Sequence, residues 1–136
     1  MAKIKAEVRE AGNTYTRVFS ERNARAVAET LYSQPVVAIG ADGVALTDPA
    51  KKIAQLETGM KRLEETDWAK SVLRNPNVCV LTSTMALASG QWTRHKKDGS
   101  VHSQGAETIV FAKSKYGWKI VSLIGHDAGR IIPCVD

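Results

Sequence analysis

Residues 107–126 read ETIVFAKSKYGWKIVSLIGH. Two mostly apolar runs flank Tyr116-Gly117, with lysines on both shoulders. β-Branched and aromatic residues dominate each run, and the glycine supplies the freedom a tight reversal needs, so this stretch is a β-hairpin. Working back from it, residues 101–113 follow the Asp98-Gly99 turn, and residues 85–96 precede that turn. Earlier still, Val78 to Leu81 end at Thr82-Ser83-Thr84, and residues 68–74 end at Asn75-Pro76-Asn77. The second half is therefore a meander of short strands.

The first half has a different period. Ile4, Val8, Ala11, Tyr15, Val18 and Phe19 form one apolar stripe at helical spacing. Asn23 opens a second helix with Val27 and Leu31 inward, which Ser33-Gln34-Pro35 ends. Val36 to Ile39 and Val44 to Leu46 are short extended pieces around Ala41-Asp42-Gly43. Thr47-Asp48-Pro49 then starts a third helix carrying Ile53, Leu56, Met60 and Leu63. Helices first and an antiparallel meander afterwards is the signature of an α+β fold. No linker, repeat or low-complexity stretch interrupts it, so residues 1–136 are expected to form a single domain.

Composition narrows the function classes. The chain has 136 residues, 43% of them hydrophobic and 24% charged, with 19 Lys and Arg against 14 Asp and Glu. This is an ordinary globular balance, neither disordered nor membrane-spanning. The net charge of +5 is scattered, and its densest group, Arg94-His95-Lys96-Lys97, runs into a hairpin turn. That is a solvated end and not a nucleic-acid footprint. Cys79 and Cys134 lack metal-ligand spacing; one bridge between them is arithmetically possible, but two reduced thiols in a cytoplasmic protein are the simpler expectation. No metal and no cofactor is expected.

Hairpin arithmetic groups side chains by face. Pairing Lys97 with Ser100 sets Arg94 opposite Ser103, Trp92 opposite Gly105 and Gly90 opposite Glu107. Pairing Lys113 with Trp118 sets Phe111 opposite Ile120, Ile109 opposite Ser122 and Glu107 opposite Ile124. Alternation then collects Trp92, Arg94, Glu107, Ile109, Phe111, Ile120, Ser122, Ile124 and His126 on one face. Thr93, Thr108, Val110, Val121, Leu123 and Asp127 take the other, and a one-residue slip would exchange the two sets.

The helix carrying Tyr15, the Asn-capped helix ending Leu31-Tyr32-Ser33, the Pro-initiated helix and the closing 107–126 hairpin together resemble the nuclear transport factor 2-like superfamily. That group includes SnoaL-like polyketide cyclases, ketosteroid isomerases and scytalone dehydratases. The resemblance covers about residues 4–127. It implies a cone: a strongly curved antiparallel sheet wrapped over three N-terminal helices, with a pocket inside and dimerisation through the outer sheet surface. Tyr15 falls where ketosteroid isomerases carry an oxyanion-stabilising tyrosine, and Glu107 falls near their second acid. The position of their base is held by about Ile39, with Asp42 three residues on. Scytalone dehydratases use two histidines, but His102 and His126 have opposite parity here.

The expected function is binding of a small hydrophobic molecule in an apolar pocket. As an enzyme it would be a cofactor-free isomerase, cyclase or dehydratase acting next to a carbonyl. Glu107 or His126 would carry the proton and Tyr15 would stabilise the oxyanion. Trp92, Arg94, Ser122 and Asp42 are the candidate ligand-binding residues. The alternative is a non-catalytic interaction or assembly domain that dimerises through its sheet.

Overall fold

The computed structural model describes residues 1–134; Val135 and Asp136, the last two residues of the expected 1–136 domain, lie outside the described residues. Helix α1 (Ala2–Ser20) turns Val8 and Val18 inward, with Tyr15 and Phe19 beside them. It ends at Arg22, whose φ of 61° is left-handed. The Arg22 guanidinium stacks 4.1 Å over the ring of Trp68 and donates to the Trp68 and Ala69 carbonyls at 3.0 and 2.7 Å. Asn23 caps α2 (Ala24–Ala26), its Oδ1 accepting from Ala26 N–H at 3.1 Å, and the chain widens into a π-type turn over Val27–Leu31. Asp48 caps α3 (Pro49–Glu65) with Oδ1 accepting from Lys51 N–H at 2.9 Å. Each such cap is worth about 1 kcal/mol.

Six strands form one curved, unclosed sheet in the order β2-β1-β6-β5-β4-β3. They are β1 (Tyr32–Gly40), β2 (Gly43–Thr47), β3 (Trp68–Thr82), β4 (Met85–Lys96), β5 (Val101–Ser114) and β6 (Gly117–His126). The α+β class is as expected, with one difference in pairing: β1 runs parallel to β6 and all other neighbours are antiparallel. Residues 75–77 do not end a strand either. They form an irregularity inside the long β3, where the register shifts between Arg74 and Asn77.

The helices cover the inner face of the sheet. Val8, Val27, Val36, Ala86, Ile109, Phe111 and Ile120 are fully buried between the layers. Each large apolar side chain placed there stabilises the fold by roughly 1.5–3 kcal/mol. At the C-terminus a 3₁₀ turn (Ala128–Arg130) leads the chain across the outer face. There Ile132 N–H donates to Ser89 Oγ at 2.9 Å and Asn77 Nδ2 donates to the Ile132 carbonyl at 3.1 Å. A disulfide joins Cys79 of β3 to Cys134, Cα atoms 5.3 Å apart. The expectation of two free thiols is therefore corrected: no composition rule reveals that the tail returns to β3.

Candidate functional site

The β4–β5 pairing is as the hairpin arithmetic has it, with Trp92 opposite Gly105, Arg94 opposite Ser103 and Gly90 opposite Glu107. The turn itself is one residue wider than expected: Gly99 N–H donates to Lys96 O and Lys96 N–H to Ser100 O, and an irregularity at Arg94/His95 restores the register. Trp92, Arg94 and Glu107 thus share the inner face, where α1 lies over them. Together with Tyr15, Thr16, Phe19, Ser71 and Val72 they line a cavity. Its volume is about 60 Å³.

The β5–β6 arithmetic holds only near the turn. Phe111 does face Ile120, but Val121 is then skipped, and Val110 faces Ser122, Ile109 faces Leu123 and Glu107 faces Gly125. This bulge inverts the parity of everything beyond it. His126 and Ser122 consequently lie on the outer face, away from Glu107, which corrects their expected grouping with the pocket residues. His126 Nε2 is 2.8 Å from Thr108 Oγ1, and Thr108 Oγ1 is 2.9 Å from Ser89 Oγ. His126 therefore belongs to a buried polar chain that runs through Thr108 and Ser89 to the tail. Asp42 is exposed in the β1–β2 turn and does not line the cavity.

Within the cavity, electrostatics sort the groups. Tyr32, which the sequence reading did not single out, donates its hydroxyl to that of Tyr15 at 3.4 Å. Burial first, then the neighbouring Tyr32 and Glu107, holds the Tyr15 hydroxyl well above the usual tyrosine range, so it stays protonated. Glu107 is pushed up to about 7 by burial, with Arg94 opposing the shift. It has no hydrogen-bond or ion-pair partner among the described residues. A carboxyl titrating near neutrality changes charge where a proton carrier must.

Gly105 makes room for this arrangement. A Cβ there would sit 2.3 Å from Trp92 Cζ2 and 2.7 Å from Cε2, so the indole lies directly across the glycine. The Arg94 guanidinium in turn stacks 4.4 Å over that indole. Gly105→Ala must displace Trp92 and with it the seat of Arg94. We expect a loss of roughly 1–3 kcal/mol in urea unfolding, and unchanged stability would contradict the packing.

Among the described residues no group of three or more His, Cys, Asp or Glu could hold a metal ion, and no helix is long and apolar enough to cross a membrane. Solved structures share the fold. A nuclear transport factor 2 (NTF2-like) superfamily protein from Salmonella enterica aligns over 93% of this chain and 92% of its own, at 22% identity and TM-score 0.68. An NTF2-like protein with a cystatin-like fold from Novosphingobium aromaticivorans aligns over 88% and 79%, at 19% identity and TM-score 0.74. A putative calcium/calmodulin dependent protein kinase II association domain from Xanthomonas campestris aligns over 91% and 87%, at 20% identity and TM-score 0.71. A search of curated proteins finds no match. The alternating strands, the helices over the inner face and the sheet order all agree with one assignment: residues 6–128 match the family model described as NTF2-like protein (DUF6841), and the chain belongs to that family.

Proposed function

We propose that the inner cavity binds a small carbonyl compound and moves a proton next to the carbonyl without a cofactor, as an isomerase or dehydratase does. The observation that supports this reading is the placement of Glu107, a carboxyl that burial pushes up to about 7, in one small cavity with the hydroxyl of Tyr15. In the ionised form Glu107 takes a proton from the carbon beside the carbonyl. The C–H electron pair becomes the enolate, whose oxygen Tyr15 stabilises by donating a hydrogen bond. Protonated Glu107 then returns the proton to carbon, at the same or a conjugated position, so charge and atoms balance. Exchange of α-hydrogens of short ketones in D2O, followed by proton NMR, tests the reading; exchange equal in wild type and Glu107→Gln would sink it.

A second reading, assembly through the sheet, has its own support. Val44 and Leu46 on the edge strand β2 are 73% and 66% exposed, and Ile39 opposite Val44 is also exposed. An uncharged apolar edge favours association with another chain, here a second copy. Native mass spectrometry should then show a dimer in the wild type and a monomer in Leu46→Glu. A wild-type monomer at micromolar concentration would refute assembly without touching the pocket.

A further inference from the structure

Arg94 carries a positive charge into the cavity wall, where Glu107 is near enough to interact with it electrostatically but makes no ion pair with it. Its guanidinium is stacked on Trp92, and its Nε is sealed from solvent with no hydrogen-bond partner. Arg17, Arg22 and Arg25 hold glutamates at 3.2, 2.6 and 2.6 Å, whereas Arg94 is set apart by a sealed Nε inside a cavity wall. Leaving a sealed N–H unbonded is costly, and a planar fork of donors suits a carboxylate. Stacking on the indole occupies a face of the guanidinium, and its terminal Nη1 and Nη2, which are not sealed as Nε is and hold no acceptor among the described residues, are left for a ligand. The cavity, at about 60 Å³, suits a small ligand.

We infer that the ligand is a short-chain carboxylate, its carboxylate held by Arg94 and its carbonyl end placed between Glu107 and Tyr15. The carbonyl half of this statement rests on the proton-transfer reading above; the carboxylate half does not. Ligands differing only in charge therefore separate the two.

The experiment titrates the full chain with pyruvate, propanoate and the neutral propanamide, by NMR shift perturbation and calorimetry. Arg94→Met, Arg94→Lys and Glu107→Gln are titrated alongside, with circular dichroism to confirm folding. Propanoate and pyruvate should bind at least about tenfold more tightly than propanamide. Arg94→Met should lose that preference, Arg94→Lys should keep part of it, and Glu107→Gln, which removes a like charge from the cavity, should strengthen it. Equal binding of propanoate and propanamide, undiminished carboxylate binding without Arg94, or no carboxylate binding below about 10 mM would each overturn the inference. Should Arg94→Met not fold, Arg94→Lys and the propanoate–propanamide comparison on wild type still decide. Methyl-proton exchange of pyruvate in D2O is followed in the same samples. Exchange that needs Glu107 but no carboxylate preference removes the carboxylate inference alone. Carboxylate preference without exchange removes the proton-transfer reading alone.

Discussion

Glu107→Gln should slow α-hydrogen exchange of short carbonyl compounds by 10²- to 10⁴-fold, the usual worth of a positioned general base. Glutamine keeps the size of the side chain and the cavity shape but accepts no proton. The wild-type rate should also depend on pH. The ionised form is the active one, so exchange should rise with pH up to about 7, the value to which burial pushes Glu107, and level off above it. In the glutamine variant that profile should be flat. A structural role for Glu107 would lower stability in the variant but would not remove a titration from the rate.

Cys134→Ser should cost about 2–4 kcal/mol, read as a fall in Tm of roughly 6–16 °C. The bond closes a loop between residues 55 apart in sequence, long enough for its release to matter to the unfolded chain. In the folded chain the tail also covers Ser89 and Thr108, which are fully buried and bonded to one another and, through Thr108, to His126. Once the tail is freed, the Ile132 bond to Ser89 is lost and these amides should exchange faster with deuterium. An unchanged Tm on reduction would show that the tail is held without the bond. The same bond bears on location: a disulfide persists in an oxidising compartment and a cytoplasmic one favours two thiols. Alkylation of protein taken from its host, read by mass, distinguishes them.

The parts of the fold that could be read from sequence are those whose signals are local. Asp98-Gly99 marks where β4 turns into β5, and the counted pairing of Trp92 with Gly105 and Gly90 with Glu107 is met because the irregularity at Arg94/His95 offsets the extra turn residue. Asn23 and Asp48 announce helix starts through cap chemistry that acts over three residues. What escaped depends on events without a period. The bulge at Val121 leaves no mark in the Ile120 to Ile124 run, which alternates no differently on either side of it, yet it moves Ser122 and His126 to the outer face. Asn75-Pro76-Asn77 has the composition of a turn, while in the sheet it is a deformation of one strand. Tyr32 closes the π-type turn with no sequence signal of its function, and its bond to Tyr15 exists because two distant segments meet. The parallel pairing of β1 with β6 and the return of Cys134 to Cys79 are non-local in the same sense.

The central claim is that Glu107 is a proton carrier tuned by its cavity, and the most direct measurement is its own titration. Carbon-13 NMR of the Glu107 carboxyl should give a midpoint near 7, against an ordinary glutamate value of 4.5. In Arg94→Met the midpoint should move higher, because the guanidinium that favours the charged form is gone. A midpoint near 4.5 in the wild type, indifferent to Arg94, would contradict the account.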